Sequence, residues 1–522
     1  MRKYLKDRYA LVLLSILFIA VVAIPRISYP DLDHGDEFSD ASVLMSGRNF
    51  VKFGFIRCRF LPVAEPHLAA PKDPYTHAPA MADITNGLLR KIFKTDSLEL
   101  FRGVALFFSL LNLLFWYIFV KKFSGSFTMA FLAALFYLTN PYFIYGADSL
   151  YQNAYSDLLR SVIFCLFLWV LIYPRIRKYL LGLLFLVFAL QTAYTFEYIV
   201  YTGIFMLGFR YFYISDGKIF RFKYIFLLSL APLLIIALHL LQNAWYFGSF
   251  NLAYQDLRNI AVERITHSKD SPFGALTLGN WWNHVAARYI SLAFIFNFHI
   301  LVPFAVFFYV LYRNLDTQSR AEVRRVFFLC LLLLLCGISW YVIFPSHALA
   351  HTFIPFLPRH LVPAAALSFA LCCYIIVFFL KRQERRNISG GLILALFVIA
   401  VSLSGLLKSE LPIFGERLHA ARDFLGFKQC LLSIRSTPED KETLGVNYYR
   451  YPFIRYYTER KCEVVFNKAA LEALPSLPGY FVLMLQNNQS TFELYQSLQE
   501  KYTMLSECRS ARFPGMLFKL KR

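Results

Sequence analysis

Asp36 and Glu37 stand side by side just beyond the first apolar block of the chain, in the run Asp31-Leu-Asp-His-Gly-Asp-Glu37. A carboxylate at the mouth of an apolar cavity can take a proton from an incoming nucleophile, because partial burial raises its pKa. The same pair in open solvent would be a polar turn and nothing more. A second run, Asp73-Pro-Tyr-Thr-His-Ala-Pro79, adds His77. A third, Asn140 to Asp157, carries Asp148 and Asp157, although Ser156-Asp157 is also suited to cap the helix that follows. Cations gather in a fourth run, Pro345 to His360, where His347, His351 and His360 accompany Arg359. An arginine fork can hold two phosphate oxygens, and the same side chain can instead snorkel to lipid headgroups. His347 and His351 are four residues apart and would share a helix face, as metal ligands can, but Pro345 and Pro355 bracket them. Taken together, these residues offer a proton acceptor and a group to hold a leaving phosphate.

The elements that must position them are membrane helices. Hydrophobic residues make up 58% of the 522, charged residues only 17%. The apolar residues fall in about eleven blocks of membrane-span length, near 8–25, 100–120, 127–146, 158–174, 179–194, 197–213, 223–242, 290–311, 325–344, 360–380 and 389–407. The first block has a basic leader, but Ile24-Pro-Arg-Ile-Ser is a poor cleavage site, so it reads as a retained helix. Lys121-Lys122, Arg175 with Arg177-Lys178, Arg324-Arg325 and Lys381-Arg382 fall on the side of the basic N-terminus, whereas the loop Gly146 to Asp157 has no Lys or Arg. Positive residues favour the cytoplasm. The N-terminus is therefore expected inside and the C-terminus outside, in a bacterial inner membrane.

Three regions then face outward. The loop 26–99 is too long for a simple connection and contains amphipathic stretches near 39–53 and 80–94, suited to lie along the membrane surface. The loop 243–289 carries Trp245, Trp281 and Trp282, residues of the interfacial belt. Beyond residue 407 the apolar runs shorten to strand length, at 443–447, 462–466, 480–485 and 516–520, with helical stretches between them. That alternation predicts a small α/β domain over 408–522, after a transmembrane domain over 1–407. No glycine-rich phosphate loop accompanies it, and its simplest role is a cap or docking module. Cys58, Cys430, Cys462 and Cys508 would face the oxidising side, where a disulfide can form. The net charge of +21 is spread over membrane-flanking loops, which points to anionic lipids and a phosphorylated lipid and not to nucleic acid.

The run Asp36-Glu-Phe-Ser-Asp-Ala-Ser-Val-Leu-Met-Ser-Gly-Arg-Asn-Phe-Val-Lys-Phe-Gly54 resembles the first external loop of the GT-C glycosyltransferases. It is most similar to their family 39 branch, the protein O-mannosyltransferases and the aminoarabinose transferases of lipid A. Tyr75-Thr-His-Ala-Pro79 resembles that family's proline-containing segment, and Arg102 the arginine that opens its second span. The resemblance covers most of 1–170 and, more weakly, 340–370. It implies that Asp36 is the catalytic base, supported by Glu37. Relatives often carry another acid after the third span, where this chain places Asn153, with Asp148 and Asp157 as nearby candidates. Pro358-Arg-His-Leu-Val-Pro363 resembles the family's Arg-Tyr segment with His360 in place of Tyr, which makes Arg359 and Arg102 candidates for the donor phosphate. His77, His351 and His360 would line the site.

The expected function is an inverting transfer of a sugar from a polyprenyl-phosphate donor to a lipid, glycan or protein acceptor at the outer face. No cofactor is implied, and metal dependence is left open. A transporter or flippase would carry midplane charges in related halves, whereas Glu197 and His239 sit near span ends and no half is repeated. A non-catalytic scaffold of the same fold is the remaining alternative, favoured by Asn153. The topology is directly measurable: alkaline phosphatase fused after residue 415 should be active, and an inactive fusion on an intact chain would refute the outward C-terminus.

Overall fold

The computed structural model describes residues 2–27, 37–64, 74–213, 222–266, 277–283, 317–350 and 357–382, and, towards the C-terminus, 428, 431–432, 435, 443–447, 451–484, 489–508 and 515–521. The chain divides into two compact units, Met1–Ile27 with His77–Pro79 and Arg102–Leu411, and Ser28–Thr76 with Ala80–Phe101 and Pro412–Arg522.

The first unit is a helical bundle. Helix α1 (Arg2–Phe18) widens into a π turn at Ile19–Ala23 before the short α2 (Ile24–Ile27). In the second unit α3 (Glu37–Phe53) and α4 (Met81–Phe93) form the two expected amphipathic helices. The bundle resumes with α5 (Leu98–Ser124), whose first turn still belongs to the second unit, then α6 (Phe127–Leu138), α7 (Pro141–Gly146), α8 (Asn153–Ile172), α9 (Arg177–Tyr194) and α10 (Glu197–Tyr213). It continues with α11 (Phe222–Phe247), α12 (Phe250–Thr266), the single turn α13 (Leu278–Asn280), α14 (Thr317–Ile343), α15 (Pro345–Ala350) and α16 (Val362–Arg382). Among the described residues, 6 helices are long and apolar enough to cross a membrane, and Phe127–Leu138 and Arg359–Ile375 are shorter apolar helices. The expected spans near 290–311 and 389–407 lie outside the described residues.

Local chemistry explains the breaks. Gly125 adopts a φ of 68° that releases the chain from α5, and Ser126 caps α6 by accepting the N–H of Met129. The single block expected at 127–146 is two helices. Asn140 accepts the N–H of Tyr142 and Pro141 starts a new helix at its first position, so the preceding one stops at Leu138. The bundle core is aromatic: Trp116, Phe119, Phe164 and Phe205 interlock, with the Phe164 and Phe205 ring centroids 4.2 Å apart. Ala130, Ala133 and Ala134 keep α6 narrow, and the Trp116 indole reaches the Ala133 carbonyl at 3.2 Å. Trp245 and Trp282 are exposed, as interfacial residues are.

In the second unit α3 and α4 lie in close contact. A Cβ on Gly47 would collide with the Asn86 side-chain oxygen, so only glycine permits the approach. Arg48 on α3 pairs with Glu459 at 2.9 Å and donates to the Tyr456 carbonyl at 3.1 Å. Both partners belong to the C-terminal segment, where β1 (Leu444–Val446), α17 (Tyr451–Thr458), β2 (Cys462–Val464), α18 (Lys468–Glu472), β3 (Tyr480–Met484), α19 (Gln489–Lys501), β4 (Tyr502–Cys508) and β5 (Gly515–Leu520) follow in order. Its 5-stranded sheet runs β2-β1-β3-β5-β4, parallel where β1 meets β2 and β3, antiparallel through β5 and β4. Phe481, Leu494, Leu498 and Phe518 form its core. Cys58 is a buried free thiol.

Asp83 on α4 is buried beside Ser46 of α3. Burial pushes its carboxyl up to about 7, against the opposing effect of the Ser46 hydroxyl. The fold thus favours the neutral acid, so its contribution to stability is complete below the unfolded value near 4 and is lost as pH rises through about 7. Thermal melts at pH 5 and pH 8 should show this loss, and Asp83→Asn should flatten it and melt higher than the parent at pH 8. An unchanged pH slope would remove Asp83 as its source.

Candidate active site

The described site residues of the bundle form two buried polar clusters. In the first, Asp148 sits in the turn between α7 and α8 and is fully buried. Its Oδ1 is 3.2 Å from Arg26 Nε, and its Oδ2 is 3.2 Å from Arg102 Nη1, which also donates to the Asp148 carbonyl at 3.2 Å. Ser109 Oγ donates to the neighbouring Ala147 carbonyl at 2.7 Å and holds the turn against α5. The candidates Arg102 and Asp148 are therefore joined. A carboxylate gripped by two guanidinium groups with no exposed surface is suited to setting their positions.

The second cluster spans α8, α10 and the 3₁₀ turn Leu357–Leu361. Asp157 lies inside α8, which starts at Asn153, so it does not cap that helix as Ser156-Asp157 suggested. The helix begins four residues earlier, and the carboxylate is used sideways: Tyr198 donates its hydroxyl hydrogen to Oδ1, and Arg160 Nη1 lies 3.3 Å from the same oxygen. Arg160 also donates to Tyr198 at 3.0 Å and to Tyr137 at 2.6 Å. Asn112 and Ser161 extend the chain of bonds: Asn112 donates to Tyr137 at 3.1 Å and Ser161 donates to Asn112 at 2.6 Å. Arg359 Nη2 pairs with Glu197 Oε2 at 3.0 Å. His360 packs its ring against Tyr198, with centroids 4.8 Å apart, and stacks on Trp340.

His77 has partners on α12. Its Nε2 is 3.8 Å from Asp256 on α12, and its carbonyl accepts from Arg264 at 3.4 Å. Burial lowers its pKa and Asp256 partly restores it. Asp36 and His351 lie outside the described residues, and Glu37 is the first residue of α3. His347 lies on α15, which ends at Ala350. Among the described residues no group of three or more His, Cys, Asp or Glu side chains is placed to hold a metal ion.

Sequence reasoning passed over Arg26, Arg160, Tyr198 and the pairing of Glu197. Arg160 carried a readable signal, since an ionised side chain within an apolar span marks a polar interior. Arg26 and Glu197 sit at span ends, where charge is ordinary, and nothing in Tyr198 distinguishes it among 33 tyrosines.

No protein-family model and no curated protein sequence matches the chain. Among solved structures, it is similar to ArnT from Cupriavidus metallidurans bound to undecaprenyl phosphate, at 12% identity and a TM-score of 0.55 over 97% of each chain. The same protein in its apo state gives 13% and 0.54. The archaeal oligosaccharyltransferase AglB from Archaeoglobus fulgidus, in complex with an inhibitory peptide and a dolichol-phosphate, gives 13% and 0.53 over 100% of this chain and 75% of that one. At these identities the likeness establishes the fold. It is the polytopic GT-C membrane fold that the first loop's resemblance implies.

The first cluster yields a stability test. Asp148→Asn removes a charge shared by Arg26 and Arg102, and breaking a buried pair from one side costs roughly 3–5 kcal/mol. The variant should melt well below the parent in detergent. A melting temperature equal to the parent's would show that the pairing does not hold the bundle.

Proposed function

We propose that the chain is an inverting glycosyltransferase that moves a sugar from a polyprenyl-phosphate donor to a lipid, glycan or protein acceptor at the outer face of a bacterial inner membrane. The observation that carries the reading is a fold likeness over nearly the whole chain to ArnT bound to undecaprenyl phosphate and to AglB with a dolichol-phosphate. The acids at the head of the first loop support it, in the place where the resemblance puts a base.

In this reading Asp36 takes the acceptor's proton as the new glycosidic bond forms and the bond from the anomeric carbon to the phosphate oxygen breaks. Glu37 orients it. The polyprenyl phosphate leaves with the bonding electrons, and Arg359 neutralises the charge that develops there with paired N–H donors, assisted by Arg102. Asp148 keeps Arg102 in place. Asp157 orients Tyr198 and Arg160, while His360, His351 and His77 serve as polar lining.

Asn has nearly the shape of Asp but accepts no proton at neutral pH, and a general base contributes on the order of 10²–10⁴ in rate. Membranes carrying Asp36→Asn should lose that much transfer from a labelled polyprenyl-phosphate sugar, with donor affinity and folding little changed. Glu37→Gln should cost less. Full activity in Asp36→Asn together with none in Asp157→Asn would move the base to the second acidic segment.

A further inference from the structure

Glu197 has no part in the chemistry just described, yet it occupies the group assigned to the donor. It is the first residue of α10, and its backbone is fixed by an N–H bond to Thr195 Oγ1 at 3.2 Å. From there Oε2 meets Arg359 Nη2 at 3.0 Å, where the arginine side chain is 2% exposed and the glutamate 14%. Its other oxygen accepts from Gln152 Nε2 at 3.4 Å. His360 Nε2 stands 3.6 Å from Oε2, beyond hydrogen-bond length, and neither ring nitrogen of this buried histidine makes a hydrogen bond among the described residues. One carboxylate thus lies within reach of three partners, Gln152 before α8 and the adjacent Arg359 and His360 of the 3₁₀ turn, and only one of those partners is a fixed charge.

A carboxylate and a phosphate present the same pair of oxygens to a guanidinium fork. Leaving a buried guanidinium bare is costly, whereas exchanging one anion for another conserves its charge. We infer that Glu197 is a built-in competitor for the donor phosphate: it holds Arg359 in the resting protein, yields it to an incoming phosphate, and then rests on Gln152 and His360. This deepens the reading of Arg359 as a phosphate ligand and rests on it.

Two consequences give the exchange a purpose. A neutral lipid alcohol cannot displace a carboxylate, so Arg359 would admit only phosphorylated chains. The leaving polyprenyl phosphate can gain a second negative charge once the sugar has gone, and would bind Arg359 more tightly than the donor did. The returning carboxylate opposes that retention and speeds release.

The test is equilibrium binding of undecaprenyl phosphate, with undecaprenol as the uncharged control, to the purified full chain in detergent. Glu197→Gln should bind the phosphate about tenfold more tightly, the scale of one charge-assisted contact, with undecaprenol unchanged. In the Glu197→Gln, Arg359→Ala double variant the gain should vanish. Arg359→Ala alone should weaken binding. If it does, while Glu197→Gln binds equally or less tightly than the parent, Glu197 only supports Arg359 and the competitor is refuted. Unaltered affinity in Arg359→Ala would instead overturn the phosphate reading itself. Glu197→Asp, which keeps the charge but shortens its reach, should fall between parent and Gln. If the Gln variant does not fold, the Asp variant decides between competitor and support in the same way.

Discussion

One carboxylate between two arginines organises one end of the bundle. Asp148 ties Arg26, at the end of the first span, to Arg102, near the start of α5, and its own turn connects α7 to α8. The other end of the same two helices is tied by Asp7, which accepts from the Tyr117 hydroxyl at 2.7 Å and pairs with Lys121 at 3.0 Å. The first span is therefore fixed at both ends to α5, with the π turn lying between the two ties. In an environment without water to replace a lost partner, such ties act as alignment marks: the helices have few other ways to satisfy these charges.

In the second cluster the polar groups form a continuous network and not a scatter of pairs. Ser161, Asn112, Tyr137, Arg160, Tyr198 and Asp157 follow one another by hydrogen bonds through the apolar bundle. Such networks specify one packing of the helices because any slip leaves several groups unsatisfied at once. Arg359 and Glu197 stand next to this network, joined to it through the His360 ring on Tyr198. The rigidity of the tyrosine–arginine core is thus set directly beside the ion pair that must change partners.

Much of the helical fold was legible in sequence because membrane spans are long, apolar and bounded by charge. The two loop helices were legible for a similar reason, since an apolar stripe at helical spacing runs through 39–53 and 80–94. Strand β4 was not foreseen: α19 passes into it at Lys501–Tyr502 without a glycine, proline or turn residue to mark the change. Nor were the partners of the acids. Asp148 and Asp157 could be picked out as carboxylates, but Arg26 is 122 residues from one and Tyr198 41 from the other, and no local pattern encodes such pairings. Asp36, whose role came from resemblance, lies outside the described residues.

The spacing of these charges along the chain also bears on biosynthesis. A ribosome delivers helices to the membrane in order, and an unaccompanied charge there is expensive. Asp157 and Arg160 arrive three residues apart on one helix and can neutralise each other as they insert. Glu197 must wait for the synthesis of another 162 residues before Arg359 appears. During that interval Gln152, already made, is its available partner among those described, so the contact that shelters the carboxylate in the finished protein is also one that can accompany it while the protein is still being made.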